Sequence, residues 1–74
     1  MTRNYLSGSI KKALSIIECI GKSTRPLKAS EVANITKLER ATTFRILTYL
    51  RSLGYLFKDN SNNIYAIGLK IFEF

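Results

Sequence analysis

Seventy-four residues, 46% of them apolar, make one small domain and exclude wholesale disorder. Twelve Lys and Arg against five Asp and Glu leave a net charge of +7, which favours a polyanionic partner, nucleic acid ahead of an anionic membrane surface. With no histidine, no glycine-rich phosphate loop and no closely paired carboxylates, no catalytic residue, metal or cofactor is expected, and an enzyme is the weakest class.

Residues 1–8 read as a flexible arm without the apolar segment of a signal peptide, and no apolar run approaches the roughly 18 residues of a bilayer span. A cytoplasmic protein is expected. The single cysteine, Cys19, excludes an intramolecular disulfide and a cysteine-based zinc site. Ser9 offers a cap for a helix over 9–22, in which Ile10, Ala13, Leu14, Ile17 and Gly21 follow a 3.6-residue rhythm. Ile16, Cys19 and Ile20 lie beside that stripe. A helix apolar over more than half its girth usually contacts the core and something else, so these three become candidates for a dimer interface.

Gly21 to Pro26 breaks the rhythm, and Pro26-Leu27 suits the start of a very short strand. A brief helix is expected over 29–35, with Val32, Ala33 and Ile35 as its apolar contacts. Thr36-Lys37-Leu38 interrupts it. A longer helix follows over 39–53, with Thr43, Ile46, Leu47, Leu50 and Leu53 on its core stripe and Gly54 as its stop. The period then falls to 2: Tyr55–Lys58 and Ile64–Ile67 read as strands around the turn cluster 59–63. Leu69 to Phe74 reads as the first turns of another amphipathic helix.

This order is mainly α with a small β-hairpin, and it is the plan of a winged helix-turn-helix: a three-helix core, a hairpin wing over 55–67 and the start of a linker helix. The second helix of such a motif lies in the major groove and the wing meets the backbone or minor groove. On the helix over 39–53, Arg40, Ala41, Thr42 and Arg45 are placed to reach base edges. Arg suits guanine O6 and N7, and Thr suits a hydrogen bond or a thymine methyl. Lys58 suits a phosphate, Arg51 is either a phosphate contact or an ordinary surface charge, and Asn62 is the candidate at the wing tip. Phe44 is expected to pack half-buried against a neighbouring helix, with a thymine methyl as the alternative. Tyr49 either reaches a phosphate or covers the hairpin. Leu69 and Phe72 join Ile16, Cys19 and Ile20 in the candidate dimer interface, where a two-fold pair would set two recognition helices on a near-palindromic site. The main alternative is a winged-helix protein-interaction module that binds no DNA.

Ser9-Ile-Lys-Lys-Ala-Leu-Ser-Ile-Ile-Glu and Arg25-Pro-Leu-Lys-Ala-Ser-Glu-Val-Ala resemble, respectively, the opening helix and the second helix with its lead-in of the IclR-type bacterial regulators. Leu38-Glu-Arg-Ala-Thr-Thr-Phe-Arg-Ile-Leu is similar to their recognition helix, and Gly54-Tyr-Leu with Tyr65-Ala-Ile-Gly-Leu-Lys-Ile-Phe-Glu-Phe to their wing and linker. The resemblance implies a homodimeric repressor or activator that binds double-stranded DNA, with a small-molecule effector bound only by a C-terminal domain beyond these residues. It supports Arg40, Thr42 and Arg45 and adds Lys28 as a DNA contact. It departs at Lys37, where the family usually has glycine: either Lys37 takes a left-handed conformation at roughly 1 kcal/mol, or the turn differs in detail. It departs again at the wing tip, where Asn60, Asn62 and Asn63 replace the family's frequent arginine.

Overall fold

The computed structural model describes residues 8–73. In chain order it has α1 (Gly8–Lys22), β1 (Leu27–Lys28), α2 (Ala29–Thr36), α3 (Arg40–Ser52), β2 (Leu56–Asp59), β3 (Ile64–Ile67) and a C-terminal 3₁₀ helix (Leu69–Glu73). The strands form one antiparallel sheet in the order β1-β3-β2, with Leu27 opposite Tyr65 and Leu56 opposite Ile67. This is the winged helix-turn-helix expected from the element order. The arm expected over 1–8 lies outside the described residues except Gly8, which is already helical, and Phe74 lies outside them too.

The core fills the space between the helices and the inner face of the sheet. It comprises Ile16 and Ile20 of α1, Leu27 of β1, Val32 and Ala33 of α2, Leu47 and Leu50 of α3, Leu56 of β2 and Tyr65 of β3. Thr43 is buried with them, and its hydroxyl has no hydrogen-bond partner among the described residues. Two expectations for the helices are corrected here. In α1 the stripe through Ile10 and Leu14 is 49% and 55% exposed, whereas Ile16 and Ile20 are the buried pair. The true core line is displaced by one residue, roughly 100° of helix rotation. Ile16 and Ile20 are therefore packing residues inside the subunit, not an interface. Ile35 and Leu53, expected inside, are also exposed.

Local chemistry sets the joints. Ser9 does not cap α1, because the helix already includes it. The N–H of Lys28 at the start of α2 donates to Glu31 Oε1 at 2.8 Å, holding the helix entry. At the far end Lys37 adopts φ 63°, ψ 28°, and its N–H donates to the Ala33 carbonyl. Lys37 thus takes the left-handed conformation that glycine would adopt without a Cβ penalty. Lys37→Gly is accordingly expected to raise stability by about 0.5–1 kcal/mol, part of the relief being offset by the greater freedom of glycine in the unfolded chain. A higher denaturant midpoint at unchanged slope is the measure, and a lower one would show that the side chain contributes more than its strain costs.

Gly54 ends α3 at φ 91°. The strand after it starts at Leu56 rather than Tyr55, since the Tyr55 N–H still donates to the Leu50 carbonyl at 3.0 Å. The Gly68 N–H donates to the Tyr55 carbonyl at 2.8 Å, and a Cβ on Gly68 would lie 2.5 Å from the Gly54 carbonyl oxygen. Lys70 N–H in turn donates to Gly54 O at 3.3 Å. These bonds draw the chain after β3 into a tight 3₁₀ helix instead of the expected amphipathic α-helix.

Candidate nucleic-acid interface

Short helix α2, the turn 37–39 and longer helix α3 form the helix-turn-helix unit. Glu39 precedes α3 in an extended conformation, and its carbonyl accepts the Thr43 N–H at 2.9 Å. Because Thr43, Leu47 and Leu50 fix the inner face, helical spacing turns Ala41, Arg45, Thr48 and Ser52 outward, and all four are exposed. Arg40, at the first position of α3, is exposed as well. Arg40, Ala41 and Arg45 thus share the outward N-terminal half of a helix whose other side is core.

The remaining candidates are placed less openly. Thr42 is half-buried on the flank of α3, with its hydroxyl 3.4 Å from a Glu39 carboxylate oxygen as donor. Lys28 is exposed at the entry to α2. Its neighbour Arg25 is committed elsewhere, with two nitrogens on the Glu31 carboxylate at 2.8 and 3.2 Å. The Arg25 guanidinium, with the Lys28 N–H, pushes the Glu31 carboxyl down to about 2, so this pair stays ionised through the neutral range.

On the wing, Lys58 is half-buried and its ammonium lies 5.7 Å from the centroid of the Tyr65 ring. Burial raises the Tyr65 hydroxyl, and the charge of Arg51 opposes that rise. The tip is organised by an acid. Asp59 accepts the Ser61 N–H and the Asn62 side-chain amide, both at 3.0 Å, and these bonds hold its carboxyl below the usual range. Asn62 is exposed, but its amide is engaged within the turn, beside a fixed negative charge that phosphate avoids.

Three placements refine the sequence reading. Phe44, expected half-buried against a neighbouring helix, is 55% exposed, and with Ala29, Ser30, Arg40 and Ala41 it lines a cleft between the starts of α2 and α3. Tyr49 does not cover the hairpin: it is 63% exposed and lines a shallow apolar trough with Ile10, Ala13 and Ile46 between α1 and α3. Glu39 puts a carboxylate at the N-terminus of α3, where the helix dipole favours it. Its signal was present in the sequence, as the acid immediately before the first arginine.

The candidate dimer residues divide. Ile16 and Ile20 belong to the core, and Cys19 is half-buried against it, its thiol raised by burial. Leu69 and Phe72 are 80% and 75% exposed. Phe72 lines an apolar groove with Ile17, Gly21, Ile67 and Ile71. Among the described residues no helix is long and apolar enough to cross a membrane, and no metal-ligand cluster of three or more His, Cys, Asp or Glu forms.

Residues 9–60 match the model of the IclR helix-turn-helix domain. Over 65 residues the chain is 28% identical to the HTH-type transcriptional regulator KdgR of Dickeya chrysanthemi, covering 88% of this chain and 21% of that protein. It is 26% identical over 65 residues to the HTH-type transcriptional regulator XynR of Escherichia coli (strain K12), covering 88% of this chain and 26% of that protein. The crystal structure of an IclR family transcriptional regulator from Brucella abortus superposes with a TM-score of 0.86 at 25% identity, covering 92% of this chain and 26% of that one. The chain therefore spans about a fifth to a quarter of the length of these relatives.

Proposed function

The chain belongs to the family of IclR helix-turn-helix domains, and from that membership we propose how it meets its operator. It is a sequence-specific, double-stranded DNA-binding domain of transcription regulation. In our reading α3 enters the major groove, Arg40 and Arg45 take base edges, Ala41 allows close approach, and Lys28 and Lys58 neutralise phosphates. The observation that carries this is the grouping of Arg40, Ala41 and Arg45 on the outward N-terminal half of a helix anchored by Thr43, Leu47 and Leu50. The wing contributes its base through Lys58, while Asp59 and the engaged Asn62 make its tip a poor phosphate contact. We place the protein in the cytoplasm, with its operator.

The two phosphate contacts proposed for each subunit, Lys28 and Lys58, predict that log K against log salt falls with a slope of about −2 per subunit. Fluorescence anisotropy on duplex DNA at several salt concentrations measures it. An affinity that hardly changes between low and physiological salt would remove these cations from the interface.

We further propose that two copies pair through the apolar surface of Leu69 and Phe72 with the groove beside Ile17 and Ile71, placing two α3 helices about one turn of DNA apart on a near-palindromic site. Sedimentation equilibrium should show self-association that Leu69→Glu with Phe72→Glu abolishes while the circular dichroism spectrum is unchanged. An unchanged association constant would put the interface elsewhere.

A further inference from the structure

The charges of α3 leave Phe44 unaccounted for. It sits in the second turn, where the inner face is already filled by Thr43 and Leu47, and it is 55% exposed. The residues opposite it on α2 are Ala29 and Ser30, too small to cover a phenyl ring, so one side of the ring stays open. Together with Ala29 and Ala41 it makes the apolar part of a cleft of about 340 Å³, with Arg40 and Ser30 as its polar part. The cleft opens at the end of α3 that carries Arg40 and Ala41.

An exposed ring beside an arginine has a specific use in a major groove. A pyrimidine presents there a C5 position that carries a methyl in thymine and 5-methylcytosine and only hydrogen in uracil and cytosine. Apolar side chains are the groups that distinguish these edges, since they gain contact with the methyl and need no hydrogen bond. A methyl fills only a small part of that cleft, where it can lie against the apolar wall of Phe44, Ala29 and Ala41, and a neighbouring purine stays available to Arg40.

We propose that Phe44, with Ala29 and Ala41, is the seat for one pyrimidine C5-methyl group, and that the domain reads a thymine at the step next to the base taken by Arg40. This rests on the DNA-binding reading above. Phe44 is then a specificity-determining residue that acts through apolar contact, and its effect is insensitive to salt, unlike that of the arginines.

The test uses the present chain and a duplex selected by it from a random-sequence pool. That duplex is resynthesised with each thymine replaced singly by deoxyuridine, which keeps base pairing and removes only the methyl. One position is expected to lower wild-type affinity about four-fold, the worth of burying one methyl. In Phe44→Ala the same replacement should change affinity by less than about 1.5-fold, whereas Arg45→Ala should bind more weakly overall and retain the four-fold thymine preference. At the same position, 5-methylcytosine·guanine set against cytosine·guanine reports whether the seat accepts the methyl from either base. A four-fold gain there extends it to methylated cytosine, and no gain confines it to thymine. The replacement scan on the wild type needs no variant, so a misfolded Phe44→Ala cannot hide the result. No sensitive position, or one that Phe44→Ala keeps in full, overturns the proposal and leaves Phe44 for a protein contact. If no duplex is selected at all, the DNA-binding reading itself fails, and the seat with it.

Discussion

Ile16→Ala is expected to destabilise the domain by about 2–5 kcal/mol, whereas Ile10→Ala should change stability by less than about 1 kcal/mol. Ile16 is fully buried between α1 and the other helices, so truncation removes both transfer energy and packing, and it leaves a cavity that the surroundings fill only in part. Ile10 is 49% exposed and loses little. A domain of this length has roughly 4–11 kcal/mol in total, so Ile16→Ala alone takes a large share of it. Chemical denaturation of the two variants beside the wild type decides the matter, because the sequence stripe through Ile10 and Leu14 predicts the reverse order. Equal losses would mean that α1 sits in another rotation. Ile16→Glu and Ile20→Glu are expected to unfold the subunit, which is why pairing is better probed at Leu69 and Phe72.

The two long helices differ in how much of their packing their residues disclose. In α3 the large aliphatic positions fall on one side and Arg40, Arg45, Thr48 and Ser52 on the others, so one rotation satisfies the pattern and the core line was legible. In α1, Ile10, Ala13, Leu14, Ile16, Ile17, Cys19 and Ile20 surround most of the helix. Several rotations then bury a comparable apolar area, and the choice falls to partners remote in sequence: α2, α3 and β3 all pack on α1. The ladder that joins β1 to β3 also lies beyond local pattern, since it pairs Leu27 with Tyr65 across about half of the chain. The hairpin was legible because its turn residues are chemically committed: Asp59 accepts from Ser61 and Asn62, and Asn63 takes the left-handed φ of 55° that its residue type tolerates.

The site was legible where it depends on helical phase and less so where it depends on neighbours. Arg40, Ala41 and Arg45 follow from the spacing of α3 alone. Thr42 was assigned to bases without regard to Glu39, whose carboxylate its hydroxyl approaches. The exposure of Phe44 could be read only once Ala29 and Ser30 were known to stand opposite it, because the same ring facing a leucine would have been core. For Asn62 the composition of the wing tip suggested an open amide, and the geometry of the turn gives that amide to Asp59.

Arg45→Ala should separate reading from anchoring when set beside Lys58→Ala. Arg45 is exposed in the middle of the outward face of α3, with Ala41 one turn before it and Thr48 and Ser52 following, so its guanidinium is free to meet a base edge with two parallel hydrogen bonds. Losing such a pair costs about 1–3 kcal/mol at the cognate site and relaxes preference at one base pair, while random DNA, which lacks the matched base, is affected much less. Lys58 stands on the wing with its ammonium over the Tyr65 ring, away from the outward face of α3, and in the reading proposed above it meets a phosphate. Lys58→Ala should weaken cognate and random duplexes by similar factors and make the salt slope shallower by about 1. Anisotropy titrations of both variants on one selected duplex and on a scrambled duplex of equal length give the four affinities required. The expected pattern is a fall in the cognate-to-random ratio for Arg45→Ala and an unchanged ratio for Lys58→Ala. If the two variants give the same ratio, Arg45 only neutralises charge, and base reading has to come from Arg40 and the residues around it.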